Sequence, residues 1–166
     1  MEKDNLFRKT PEIRTYSGKY VNVFDLKPED IDIVDIAHSL SLTCRWRGIC
    51  KHFYSVAEHS IYVSDKVPRE HKLAALLHDA SEAYLGDIPR PVKQMLPDYL
   101  KLEQKVEKVI AERFGYQYPY HVLVKEADDE LLIFEWNNLI LNNKMVERTS
   151  SVIEDEFLEH FKQLTK

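Results

Sequence analysis

The sequence predicts an all-α fold in a single domain over residues 1–166, and three observations carry that expectation. Apolar residues recur at helical spacing from Asp32 onward, in segments that open at capping residues and stop at Gly or Pro. Gly 4 and Pro 7 leave too few turn residues for a many-stranded β fold. A length of 166 residues builds one hydrophobic core and is short for two.

The elements read in order as follows. TYSGKYVNVFD, Thr15 to Asp25, alternates weakly around Ser17-Gly18 and predicts a small hairpin or an extended arm. DIVDIAHSLSL then places Ile33, Ile36, Ala37 and Leu40 on one helical face. A second helix opens at a capping box, Ser55 with Glu58, carries Val56, His59, Val63 and Val67 as its stripe, and meets Pro68. A third helix, from about Pro68 to Leu85, is apolar on most sides and is therefore expected at the centre. After GDIPRPVKQMLP, a helix from Asp98 to Phe114 uses Leu102, Val106, Val109, Ile110 and Phe114, and Gly115 stops it. A longer helix covers roughly His121 to Asn142. The last one opens at Ser151 with Glu154 as a second capping box, and its stripe is Val152, Phe157, Phe161 and Leu164.

Composition narrows the function. Hydrophobic residues at 44% and charged ones at 31% are the balance of a soluble globular protein. A net charge of −5 argues against duplex nucleic acid as a partner, because phosphate backbones reward excess Lys and Arg. A small anionic substrate needs only a local basic cluster or a metal. No run of about 18 apolar residues is present to span a membrane. The opening MEKDNLFRKTPEIR lacks the apolar core of a signal peptide, and Cys44 and Cys50 do not make a disulfide framework. A cytoplasmic protein is expected.

The chemistry concentrates in LAALLHDASEAYLGDIPRPVK, Leu73 to Lys93. His78 and Asp79 fall in the most buried-looking helix, where an ionised carboxylate without a partner is costly. Glu82 lies one turn on, at the same side. A divalent metal with a nearby acid–base carboxylate accounts for all three. Two other helices offer further ligands: His59, on an apolar stripe, and Asp128, which shares a face with Val124, Leu131 and Leu132. Two imidazoles and two carboxylates suit Mn, Co, Fe, Ni or Zn, with Mg also compatible, and leave positions open for water and substrate. No HExxH motif occurs, so a zinc-protease reading has no support.

The order His, His-Asp, Asp resembles the signature of the HD superfamily of metal-dependent phosphohydrolases. HDASEAYLGDIPRPVK is similar to a run found in bacterial 5′-deoxynucleotidases and small phage dATP triphosphohydrolases, and the resemblance extends over Arg45-Trp46, SVAEHS around His59, and K-E-A-D from Lys125 to Asp128. It implies an HD-type helical bundle that binds one divalent ion through His59, His78, Asp79 and Asp128. It implies Glu82 as catalytic carboxylate, with Asp87 assisting proton transfer or positioning water. It further implies Arg45 and Trp46 as nucleotide contacts, Lys93 and Lys125 as phosphate contacts, and self-association into a homo-oligomer.

The expected reaction is hydrolysis of a deoxynucleoside 5′-monophosphate to nucleoside and phosphate. Two alternatives stand beside it: release of triphosphate from a dNTP such as dATP, and a non-catalytic HD module acting as nucleotide sensor or adaptor. A buried ion-pair cluster explains His78, Asp79 and Glu82 without chemistry, yet leaves the G-D-I-P-R-P-V-K string unexplained. His38, Cys44, Cys50 and His52 lack any CxxC pair, and two buried free thiols are expected there rather than structural zinc.

Overall fold

The computed structural model describes residues 11–144 and 147–166; the opening Met1–Thr10 segment, read above for a signal peptide, lies outside the described residues. The expected hairpin forms. Strands β1 (Glu12–Arg14) and β2 (Tyr20–Asn22) are antiparallel, with Ile13 opposite Val21, and Gly18 N–H donates to Thr15 O across the turn. Asp35 of the first helix accepts hydrogen bonds from the Ser17 N–H and hydroxyl, which ties the hairpin to the helical body.

The helices are α1 (Ile33–Leu42), α2 (Val56–Lys66), α3 (Arg69–Leu76), α4 (Glu82–Leu85), α5 (Arg90–Lys93), α6 (Pro97–Phe114), α7 (Val122–Glu135) and α8 (Ser150–Leu164). Asp32 caps α1 by accepting from Val34 N–H, and Ser55 caps α2 by accepting from Glu58 N–H at 3.1 Å. Gly115 ends α6 at φ 73°, in the left-handed region. The helix expected to reach Asn142 is α7 followed by a π-helical stretch, Trp136–Leu141. Among the described residues no helix is long and apolar enough to cross a membrane.

Helix α2 lies at the centre, packed on α1, α3, α7 and α8. Its Ala57, Ser60 and Ser64 are buried, and such small residues let neighbouring backbones approach. One apolar cluster joins Ile36, Leu40, Ile61, Leu76, Ile110 and Phe157; a second joins Val63, Ala74, Ala75, Val124, Ala127 and Leu131, and it seats α7 against α2 and α3.

Two expectations are corrected. The helix from Pro68 to Leu85 is broken: α3 ends at Leu76, and Leu77 takes φ −104°, ψ 10°. The next residues advance by three-residue turns, Ala80 N–H to Leu77 O and Glu82 N–H to Asp79 O. The cause is local. His78 donates Nδ1–H to Ala75 O at 2.7 Å, occupying the carbonyl that an unbroken helix would offer to Asp79 N–H. Leu76, Leu77 and Ala80 stay fully buried through the break. At the last helix Ser151 does not cap; Thr149 holds the N-cap position without a side-chain bond to the helix backbone, its hydroxyl meeting that of Ser151 instead. The buried stripe accordingly runs through Ile153 and Phe157, and Val152 is 53% exposed.

Gly86 turns the chain out of α4 at φ 80°, ψ 156°, a conformation essentially reserved for glycine, and so delivers Asp87 and α5 to the same end of the bundle. Phe157 is fully buried where α8 meets the first cluster. Phe157→Ala is expected to cost about 3–5 kcal/mol in chemical denaturation; a change below about 1 kcal/mol would show that α8 contributes little to the fold.

Candidate metal centre

Three elements converge on one buried point. Helix α2 presents His59, the turn after α3 presents His78 and Asp79, and α7 presents Asp128. One ligand atom each from His59, His78 and Asp128 lies within 4.8 Å of the others. His59 Nε2 stands 3.2 Å from Asp128 Oδ1 and 3.8 Å from Asp79 Oδ2. His78 Nε2 stands 3.3 Å from Asp79 Oδ2 and 4.0 Å from Asp128 Oδ1. Both Nε2 atoms are buried and neither makes a hydrogen bond among the described residues. Buried polar atoms are nearly always bonded, so two orphans facing two carboxylates fit a shared cation.

The far side of each ring fixes its tautomer. His78 Nδ1–H donates to Ala75 O, an atom that can only accept. His59 Nδ1–H donates to Glu135 Oε1 at 2.6 Å. In the neutral rings the Nε2 lone pairs therefore point at the cluster, as ligation requires. Burial opposes charge on His78, but Asp79 and then Asp128 outweigh it and lift the imidazole to about 9. Burial would raise Asp79, yet the charge of His78, followed by His59 and Arg45, holds it well below the usual carboxylate range. Asp128 is held low in the same way by His59 and His78.

Beside the cluster opens a cavity of about 420 Å³, lined by Arg45, Trp46, Arg47, Asp79, Glu82, Asp87, Ile88, Pro89, Arg90, Pro91, Lys93, Asp128 and Leu132. Glu82 is buried there and its Oε2 has no hydrogen-bond partner. Burial, then the charges of Asp79 and Asp87, push Glu82 well above the usual carboxylate range; burial raises Asp87 too, less far. Lys93 Nζ is held by Glu103 at 2.6 Å while facing the cavity. Arg45 Nε–H and Trp46 Nε1–H donate to Glu135 Oε2 at 2.8 and 3.0 Å. The loop bearing them is stapled by Arg45 N–H to Tyr54 O.

Of the ten residues singled out from the sequence, the structure gathers nine around this point and cavity. Lys125 is the departure. It is 55% exposed, does not line the cavity, and its ammonium sits 3.0 Å from Asp128 Oδ2 and also meets Asp129, three and four residues along α7. Sequence reading passed over Arg90, whose guanidinium lies 3.6 Å from Asp128 Oδ2, and Glu135, buried at the base of the site. Glu135 is seven residues after Asp128, two helical turns on the same face, a spacing that marked it. The His38, Cys44, Cys50 and His52 group does not assemble: His38 pairs with Glu154 at 3.1 Å and His52 faces Glu147. Both thiols are free but not buried as expected, Cys44 being exposed and Cys50 half-buried on the loop around Arg45–Gly48.

A family model for the 5′-deoxynucleotidase YfbR-like proteins matches residues 35–131. The chain belongs to the YfbR-like 5′-deoxynucleotidase family. This family is a branch of the HD superfamily of metal-dependent phosphohydrolases, and its matched span holds every cluster residue. The chain is 45% identical over 131 residues to the uncharacterized protein YfdR of Escherichia coli, covering 79% of this chain and 74% of that one. It is 40% identical over 112 residues to the uncharacterized protein RCAP_rcc00048 of Rhodobacter capsulatus, covering 61% of this chain and 57% of that one.

With His78 near 9, its proton must leave before a cation can take Nε2, so affinity rises with pH up to about 9 and then levels. Titration with Mn²⁺ at pH 7 in buffers of different ionisation enthalpy is expected to register about one proton released per ion bound. His78→Ala and Asp79→Ala should lose the ion by elemental analysis. Equal metal content in all three proteins would refute the site.

Proposed function

We propose that the chain hydrolyses a deoxynucleoside 5′-monophosphate to nucleoside and inorganic phosphate, using a divalent ion held by His59, His78, Asp79 and Asp128. The observation that carries this reading is the cavity itself. Asp79 and Asp128 belong at once to the His/Asp cluster and to the wall of a 420 Å³ space that also presents Arg45, Arg47, Arg90, Lys93 and Trp46. That volume lies at the small end of ligand pockets, of which about 300 Å³ is the lower bound.

Charge favours one phosphate over three. Arg45 is committed to Glu135, Arg90 reaches Asp128 and Asp129, and Lys93 is committed to Glu103. Among the described residues Arg47 is the one cavity cation without an ion pair, which is little free positive charge for a triphosphate, whereas a monophosphate dianion is served by the metal with Arg47 and one further cation.

When bound, the divalent ion polarises a phosphoryl oxygen and acidifies a water molecule. Glu82 takes the proton from the attacking water at Oε2, which is free of other bonds, and returns it to the departing 5′ oxygen. Its raised pKa makes the carboxylate a stronger base toward the water and brings it closer to the groups with which it exchanges the proton, which suits a shuttle that first accepts and then donates. Asp87, half-buried in the same wall, orients the water. Arg45 and Lys93 stabilise charge on the non-bridging oxygens. Trp46 offers an aromatic face to the base or sugar.

Glu82→Ala is expected to keep the metal and the fold while turnover drops about 10²–10⁴-fold. Near-full activity at saturating metal would mean that another group moves the proton. A panel of deoxynucleotides separates the substrates: phosphate released from monophosphates, with no inorganic triphosphate from dNTPs, is the expected pattern. Triphosphate release at comparable or higher kcat/KM would replace this reading with the dNTP triphosphohydrolase.

A further inference from the structure

Glu135 takes no part in the reaction as drawn above, yet it is the most completely engaged carboxylate in the site. Its residue is fully buried. Oε1 accepts from His59 Nδ1–H at 2.6 Å and from the Tyr54 hydroxyl at 2.8 Å. Oε2 accepts from Arg45 Nε–H at 2.8 Å and from Trp46 Nε1–H at 3.0 Å. The two oxygens thus serve different clients: one holds a histidine of the metal cluster, the other holds the loop that walls the cavity.

That loop needs holding. Trp46 and Arg47 sit at φ 57° and 55°, left-handed conformations that non-glycine residues keep only where the surroundings fix them. Trp46 also packs against Trp136, the residue after Glu135, with ring centroids 5.6 Å apart. Taking a carboxylate this far from water is costly unless every lone pair is used, and here four donors use them.

We infer that Glu135 is a positioning residue which links the metal ligand His59 to the substrate loop Arg45–Gly48 through a single carboxylate. The inference rests on the metal centre proposed above. It makes a specific demand: a change on the loop side that never touches the metal must still alter metal binding, through Glu135.

The probe is Mn²⁺ titrated into chelator-treated protein, with a thermal melt of each variant. In Glu135→Gln one oxygen becomes an NH₂ group that cannot accept, so one pair of donors is orphaned. Metal affinity should fall by about 10–100-fold. At saturating Mn²⁺, KM for the deoxynucleotide should rise as well. Trp46→Phe removes only the Nε1–H donor to Oε2 and keeps an aromatic ring, and Mn²⁺ affinity should fall several-fold. In the Glu135→Gln background the same change should add nothing further, because the link is already cut. Additive losses in the double variant, or unchanged Mn²⁺ affinity in Trp46→Phe, overturn the coupling. If Glu135→Gln does not fold, Trp46→Phe alone decides, since a packing role moves the melt and leaves the affinity alone. Wild-type protein that takes up no Mn²⁺ overturns the metal centre and this inference with it. Normal uptake beside an unaltered Glu135→Gln overturns the inference alone.

Discussion

The imidazole of His59 is sealed from water and gripped on both edges by carboxylates from one helix. Asp128 Oδ1 faces Nε2 at 3.2 Å and Glu135 Oε1 takes Nδ1–H at 2.6 Å. Two acids seven residues apart share a face of α7, so a rigid rod two turns long sets both distances together. For that rod to reach His59, α7 must lie close along α2, and the Val63, Val124, Ala127 and Leu131 cluster secures it there. The break after Leu76 is the other half of the geometry. By drawing Nδ1 of His78 onto Ala75 O, it brings His78 Nε2 and Asp79 to the same point from the opposite side.

Charge accounting explains why such a cluster is tolerable in a core. Asp79, Asp128 and Glu135 are all held ionised, while Glu82 is pushed toward its neutral form. Against three carboxylates stands the Arg45 guanidinium, placed 3.6 Å from Asp79, 3.9 Å from Asp128 and 2.8 Å from Glu135. Without a metal a proton on His78 meets only half of the remaining deficit. A divalent ion together with Arg45 balances the three carboxylates with both imidazoles neutral, which is the state ligation requires. Arg45 is thereby a structural counter-ion as much as a phosphate contact, and the cavity's modest free charge follows from it.

Much of this was legible in the residues. Asp32, Ser55 and Gly115 mark real helix ends, and the HD run with His59 and Asp128 leads to the buried cluster. The failures have physical causes. Periodicity registers which side chains are buried, and Leu76, Leu77 and Ala80 stay buried whether or not the helix continues, so the break was invisible. Thr149, Ser150 and Ser151 are all competent caps, and choosing the last of them misplaced the stripe from Ile153 to Val152. Lys125 does reach Asp128, but it shares its ammonium with Asp129 one turn along α7 and stays outside the cavity lining. Glu135 follows the apolar run Leu131–Phe134 as a single acid near a helix end, and only its seven-residue offset from Asp128 distinguished it.

The central claim is that His59 and His78 turn their Nε2 atoms onto one divalent ion shared with Asp79 and Asp128. The most direct measurement is anomalous diffraction at the Mn edge from a Mn²⁺-soaked crystal. A single strong peak at bonding distance from both Nε2 atoms and from the two aspartates is the predicted result. Absence of a peak there at full soaking, or a sole peak elsewhere on the chain, would contradict the account.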